Sequence, residues 1–291
     1  MDTDKYKALL SAIETGSLSA AAAELDYTPS GISRAVASLE ESLGFSLLVR
    51  KKSGVLPTEE CQLLLPLFRN LIHTQEQIDQ TAARICGLET GSVTIGTAYS
   101  PYYPVLSRRI MEFQALHPDI SVRLIEGTSS HLCSLLQEQA LDFCIISRRD
   151  GIDTFIPLCE DTICIWVPQS HPAVEMGIYP LQDLANENYI SIHPNMETDN
   201  SRLLAKHHIT PHICASTSDV PAAWTMVAAG MGVTLINRIL SRQWDGPVVT
   251  LPLDASPSFE IGIAAPVREI QSPAAAELMK FMQKDLIHAF E

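Results

Sequence analysis

Residues 17–50 read SLSAAAAELDYTPSGISRAVASLEESLGFSLLVR, and this stretch decides the architecture of the N-terminal part. A helix over residues 3–15 precedes it, with Tyr6, Leu9, Leu10 and Ile13 on one face and Gly16 as its end. Ser17 caps a second helix. Its four consecutive alanines, Ala20, Ala21, Ala22 and Ala23, permit close packing, Leu25 closes the apolar face and Asp26-Tyr27 turns the chain. Thr28-Pro29 then opens a third helix. Thr is a favoured N-cap, and Pro suits the first helical position because the N–H it lacks would be unpaired there. Ile32, Val36, Leu39 and Leu43 recur at helical spacing and are expected to point inward, whereas Ser30, Arg34 and Ala37 lie opposite, with Ser33 at the edge.

Such a face carries a chemistry. Short polar side chains let a helix approach base edges closely, and an arginine can bond guanine or a phosphate. Residues 45–57 read strand–turn–strand around the basic tip Arg50-Lys51-Lys52, a wing that could lay cations along a phosphate backbone. The spacing predicts a DNA-binding surface made of Thr28, Pro29, Ser30, Ser33, Arg34, Arg50, Lys51 and Lys52.

These residues also carry a resemblance. Gly16-Ser17, Ala21-Ala22, Ser33, Leu39-Glu40, Leu43-Gly44, Arg50 and Thr58 stand in the order found in the LysR-type transcriptional regulators, which the head resembles. Leu48 replaces a usual Phe, Cys61 a usual Gly, and Pro29 stands where many members carry Gln. The resemblance implies an interrupted palindromic operator on double-stranded DNA, a homodimer or homotetramer, and room for RNA polymerase as a further partner.

Composition agrees with a reader of specific sites. The 291 residues carry a formal net charge of -14, which argues against indiscriminate coating of nucleic acid. Residues 1–57 hold six Lys or Arg against seven Asp or Glu, so nearly all the excess acid lies further on. The N-terminal MDTDKYK has no apolar signal region, no run approaches the roughly 18 apolar residues of a membrane span, and the 7 cysteines form no CxxC pair. A cytoplasmic protein with reduced thiols, touching no membrane, is expected.

After the wing, Thr58-Glu59-Glu60 can start a long helix. Leu64, Phe68, Leu71, Gln75, Ile78, Ala82 and Ile85 follow a 4-3 spacing, the seam of a paired helix, with Pro66 expected to kink its start. Residues 88–91 break it. Strand and helix then alternate, an α/β pattern with a mostly parallel sheet expected. The stretches GSVTIG (91–96), FQALHP (113–118), EQALDFCI (138–145) and VAAGMGVTLI (227–236) resemble the LysR-type body. The whole is expected to be α/β with an N-terminal all-α winged helix-turn-helix and a two-lobed, periplasmic-binding-protein-like effector domain. The expected domains are residues 1–57, a dimerising connector and hinge at 58–90, and the effector domain at 91–291. Its first lobe spans 91–162 and 265–291, and its second 163–264.

In open α/β sheets a ligand sits beyond the carboxyl ends of the strands, at helix N-termini. The hydroxyl-rich points there are Tyr99-Ser100, Thr128-Ser129 and Ser147, faced from the other lobe by Asn200, Ser201 and Asp219. For any one of these serines an ordinary N-cap is the simpler role; their convergence is what points to a site. The effector is expected to be small and polar, and anionic if the helix ends set its charge. No catalytic constellation or phosphate loop stands out, so neither an enzyme nor a cofactor is expected. His207, His208, His212 and Cys214 match no common zinc spacing, and no metal is expected. Two other readings stay open: a DNA-binding regulator whose body takes no small molecule, and a solute-binding protein with an incidental head.

Overall fold

In the computed structural model, which describes residues 3–51, 54–86, 90–255, 257–267 and 271–290, the head is built from α1 (Asp4–Thr15), α2 (Leu18–Glu24) and α3 (Pro29–Leu43). The caps form as expected. Ser17 accepts from the N–H of Ala20 at 3.3 Å and Thr28 from that of Gly31 at 3.1 Å. Leu9, Ala21, Ala22, Ile32, Val36 and Leu39 are buried together. Leu43 departs from the expected inward row and is 37% exposed, because it is the last helical residue before Gly44 turns the chain away.

The wing is an antiparallel pair, β1 (Leu48–Lys51) and β2 (Gly54–Pro57); Lys52 lies outside the described residues. Two contacts pin the wing to the helices. Glu40 of α3 accepts from the N–H groups of Leu47 and Leu48 at 2.7 and 3.1 Å. Val55 donates to the carbonyl of Gly16 at 2.8 Å. A Cβ at Gly54 would lie 2.3 Å from that carbonyl oxygen, and φ there is +130°, so only glycine fits the approach.

One helix, α4 (Glu59–Ile85), runs on through Pro66. At 27 residues it is roughly 40 Å long at about 1.5 Å per residue. The expected seam divides in two. Leu64 and Phe68 turn into the chain's own head, where the Phe68 ring sits 5.1 Å from that of Tyr6. Further along, the seam is left open: its Ile78 and Ile85 are 54% and 82% exposed, and Leu63 and Leu67 beside it 79% and 60%. The first turns of α4 have a core to join at once, so periodicity there recorded an intramolecular partner. Of the expected hinge, residues 88 and 89 lie outside the described residues.

The body then alternates through β3 (Gly91–Thr97), α5 (Tyr103–Leu116), β4 (Ile120–Glu126), α6 (Ser129–Gln137), β5 (Phe143–Ser147) and β6 (Thr154–Asp161). The chain crosses into a second lobe formed by β7 (Ile163–Pro168), α7 (Ala173–Met176), β8 (Asn188–Ile192), α8 (Asp199–Lys206), β9 (His212–Thr217), α9 (Val220–Ala228), β10 (Thr234–Asn237), α10 (Arg238–Ser241) and β11 (Val248–Pro252). It returns through β12 (Phe259–Ala265) and ends on α11 (Pro273–Ile287).

The first lobe's sheet has the order β4-β3-β5-β12-β6 and the second lobe's larger sheet the order β10-β7-β11. The first of these sheets is mixed and the second antiparallel, rather than mostly parallel. β4, β3 and β5 run parallel, but β12 is antiparallel to both β5 and β6, and β7 is antiparallel to both its neighbours. The reversal follows from the connections: strands that leave for the other lobe and come back do not make a helical crossover, which parallel pairing requires. β12 brings the chain back into the first lobe's sheet. The alternation of buried residues fills one core around Phe113, Phe143 and Leu278, and another around Tyr179 and Leu184. Trp166 anchors the second lobe's other face, beside the stacked rings of Trp224 and Trp244.

Removing the Glu40 carboxylate strands two wing N–H groups. Glu40→Ala should lower stability by about 1–3 kcal/mol, the range for losing hydrogen bonds to a charged group. Denaturant unfolding of the head checks it, and an unchanged midpoint would mean that the wing is held elsewhere.

Candidate functional site

Two surfaces gather functional side chains. On the head, Thr28, Pro29, Ser30 and Arg34 are exposed along the start of α3, and Arg50 and Lys51 are exposed on the wing beside it. Ser33 is half-buried between them and accepts from Arg50 Nη2 at 3.0 Å, which joins wing to helix. Arg34 folds back to donate to the carbonyl of Ser30 at 3.3 Å. The described members of the expected set therefore share one face. Tyr27, taken from sequence as a turn residue, is 49% exposed next to Thr28 and extends that face.

The second surface is a cleft of about 510 Å³ between the lobes. The loops that follow β3 and β4 bring Tyr99, Ser100, Thr128 and Ser129 to it, together with Glu126 and His131. The second lobe supplies His193, Asp199, Asn200 and Asn237, and an apolar lining of Ile192, Met196, Val220, Ile236 and Leu240. Three expected residues do not line it. Ser147 sits behind Asp199, against a separate cavity of about 260 Å³. Ser201 is spent on a capping box with Thr198. Asp219 is not among the lining residues, although its neighbours Ser218 and Val220 are. The ordinary capping role also holds for Thr128, which accepts from the N–H of His131, and Ser129 accepts from that of Ser147.

The residue that organises the cleft is Asp199, at the first turn of α8. Its Oδ1 accepts from Ser147 Oγ and Arg149 Nη2, both at 2.7 Å. Its Oδ2 accepts from Tyr99 Oη at 2.9 Å and Asn237 Nδ2 at 3.1 Å. Burial pushes this carboxyl up, but the Arg149 charge and the hydrogen bonds from Ser147, Arg149 and Tyr99 outweigh it and hold it below the usual carboxylate range. Burial, with the adjacent Asp199 charge, pushes the Tyr99 phenol far up, so Tyr99 stays a donor. Asn200 donates through Nδ2 to the carbonyl of Leu235 at 2.8 Å, which leaves its buried Oδ1 with no partner among the described residues. Sequence inspection missed Asp199 because an acid after a capping Thr already has a local reason to be there.

With the geometry in place, comparison with known proteins is decisive. A family model described as "Bacterial regulatory helix-turn-helix protein, lysR family" matches residues 3–62, and one described as "LysR substrate binding domain" matches residues 87–286. The chain belongs to the LysR family. It is a DNA-binding transcriptional regulator with a substrate-binding domain, and the family is one of regulators rather than enzymes. This LysR-family chain is 25% identical to the uncharacterized HTH-type transcriptional regulator YvbU of Bacillus subtilis, over 99% of this chain and 100% of that one. It is 24% identical to the malonate utilization transcriptional regulator of Klebsiella pneumoniae, over 82% of this chain and 80% of that one. Its fold is shared with full-length OxyR C199D from Pseudomonas aeruginosa (TM-score 0.66, 18% identity, covering 99% and 95%). The fold is also that of CbnR in complex with its target DNA (TM-score 0.59, 19% identity, covering 98% and 99%).

Among the described residues of this LysR-family chain, no three His, Cys, Asp or Glu side chains come together as metal ligands, and no helix is long and apolar enough to cross a membrane. His207, His208, His212 and Cys214 accordingly form no such group. All seven cysteines are free thiols.

At the crossover between lobes, Asp161 accepts from the N–H of Ile239 at 3.1 Å and is 6% exposed. Burial pushes its carboxyl up to about 6, against the lowering effect of the Thr162 and Ile239 N–H groups and of Arg242; Asp199 adds to the rise. A raised acid favours the fold while protonated, so its contribution is full below the unfolded value and is lost as pH rises through about 6. Asp161→Asn should therefore be more stable than the parent at pH 8, by about 1–3 kcal/mol, with the difference closing by pH 4. Thermal unfolding across that range checks it. A gain that grows toward acid pH would contradict it.

Proposed function

We propose that this LysR-family chain binds an interrupted palindrome as a homo-oligomer, and that a small polar effector in the inter-lobe cleft controls it. In this reading residues 1–57 read DNA, 58–90 connect and pair two chains, and 91–291 sense. Thr28, Pro29, Ser30 and Arg34 meet the major groove, with Ser33 fixed by Arg50, while Arg50, Lys51 and Lys52 follow the phosphates. The open stripe of Leu63, Leu67, Ile78 and Ile85 supports pairing of α4 with a second copy, since a monomer would leave it in water.

The observation that carries the sensing role is the cleft itself. Its 510 Å³ falls within the roughly 300–1,000 Å³ of small-molecule sites, and its lining mixes an apolar wall with a few converging polar groups. Asn200 lines the cleft, and its carboxamide supports an effector that brings hydrogen-bonding groups such as an amine, amide or hydroxyl. Thr128 and Ser129 shape the wall rather than supply free hydroxyls, whereas Ser100 is exposed to the cleft.

The test combines operator and effector. A site selected from random DNA should be bound by the full chain. Arg34→Ala should lower that specific affinity by about 1–3 kcal/mol while leaving binding to unrelated DNA in place. Equal affinity for both sequences would refute the DNA-reading role of α3.

A metabolite that alters this complex should lose affinity by roughly tenfold in Asn200→Ala, the scale of one hydrogen bond. Calorimetry measures it, and undiminished binding would place the effector outside the cleft.

A further inference from the structure

Asp199 is held the way a binding protein holds a carboxylate ligand. Both oxygens carry two donors, and three of the four donors, on Ser147, Arg149 and Tyr99, belong to the opposite lobe. The ion pair is enclosed, with the Arg149 and Asp199 side chains 7% and 12% exposed. Arg149 is used up by this arrangement. Besides Asp199, it donates to Ser130 Oγ at 3.0 Å, Ser147 Oγ at 2.6 Å and the carbonyl of Arg148 at 3.1 Å. Asp199 lies between the cleft and the cavity on its far side and lines both.

We propose that Asp199 is a built-in ligand: from the second lobe it fills a carboxylate-binding position formed by the first, which keeps the lobes drawn together without effector and denies carboxylate effectors access to Arg149 behind it. The denial rests on the cleft being the effector site, as proposed above. The remaining ionisable side chains on the cleft agree with it. Glu126 is an acid, His131 and His193 are imidazoles, and among the described residues no Lys or Arg lines the cleft. A carboxylate entering there would meet the Asp199 and Glu126 charges and would have to displace Asp199 to reach Arg149. Neutral polar and amine-bearing molecules face no such competition, and the Asp199 and Glu126 carboxylates on the cleft favour an amine. In this proposal a neutral polar or amine-bearing effector takes the place of the anionic one expected from helix ends and hydroxyl donors.

The experiment is chemical rescue followed by thermal melting of the full-length protein, with sodium formate and sodium acetate compared against sodium chloride at equal ionic strength. Asp199→Ala should melt roughly 6–20 °C below the parent, as loss of a buried partner implies. Formate should restore at least half of that loss, and chloride should not. In Asp199→Ala with Arg149→Met, formate should restore nothing. The parent should gain no more from formate or acetate than from chloride. Rescue no better than chloride, or equal rescue of the double variant, would overturn the proposal, as would carboxylate-specific stabilisation of the parent. Asp199→Ser keeps a residue suited to the helix start while vacating the carboxylate, and carries the same comparison if the alanine variant does not fold. If neither folds, the parent comparison alone decides. Melting requires neither operator nor effector, so failure of the regulatory reading would leave this result standing, and the reverse holds equally.

Discussion

The body of this protein turns on one buried ion pair. Asp199 and Arg149 come from different lobes, and neither has water enough around it to tolerate losing the other. Burying two charges is expensive, and the pair is retained only where geometry and further hydrogen bonds offset the cost. Here Ser147, Tyr99 and Asn237 complete the carboxylate's shell, and Ser130, Ser147 and the Arg148 carbonyl complete the guanidinium's. The consequence is geometric. The contacts of Tyr99, Ser147 and Arg149 with Asp199 form only when the lobes are close, so cleft width and the satisfaction of this carboxylate rise or fall together.

Lobe position reaches the head through α4. Arg69 of that helix pairs with Glu138 of the first lobe, Gln80 donates to the carbonyl of Ser92 at 3.4 Å, and Lys7 of α1 pairs with Glu76 at 3.3 Å. One helix therefore touches the DNA-reading head from its first turns to Glu76 and the sensing body from Arg69 to Gln80. Asp142 lies in the same polar seam, where its carboxylate accepts from the N–H of Thr94 and from Ser272 Oγ; burial still pushes this carboxyl up. A first-lobe movement that alters these contacts would change how α4, and any partner on its open stripe, presents the wings. That is a physical route for coupling, carried by contacts with discrete alternatives.

Much of the head was legible because its signals are local. Thr28-Pro29, the Ile32, Val36 and Leu39 row and the terminal glycines each act within a few residues. The connector was half legible: the 4-3 spacing announced a buried seam but carried no information on whether Phe68 meets its own head or a second chain. In the body, β6 and β11 carry weak strand signals: Pro157 and Glu160 break the apolar alternation of one and Pro252 ends the other, and both are edge strands where such residues are tolerated. The cleft's hydroxyls were visible as residues at helix starts, yet Thr128 and Ser201 proved to be caps and Ser147 a partner of Asp199. Asp199 itself was invisible as a site residue. Its partners stand 100, 52, 50 and 38 positions away, and no pattern read along the chain spans such distances.

The most direct test of the central claim, that one cross-lobe pair governs lobe closure, is a double-mutant cycle on full-length protein. Asp199→Asn, Arg149→Met and their combination would be compared by equilibrium unfolding. The expected result is strong coupling: each single change costs several kcal/mol, about 3–5 for a broken buried pair, and the double variant costs far less than their sum. Losses that add within roughly 0.3–0.5 kcal/mol would contradict the account, because two side chains that do not depend on each other cannot hold the lobes together.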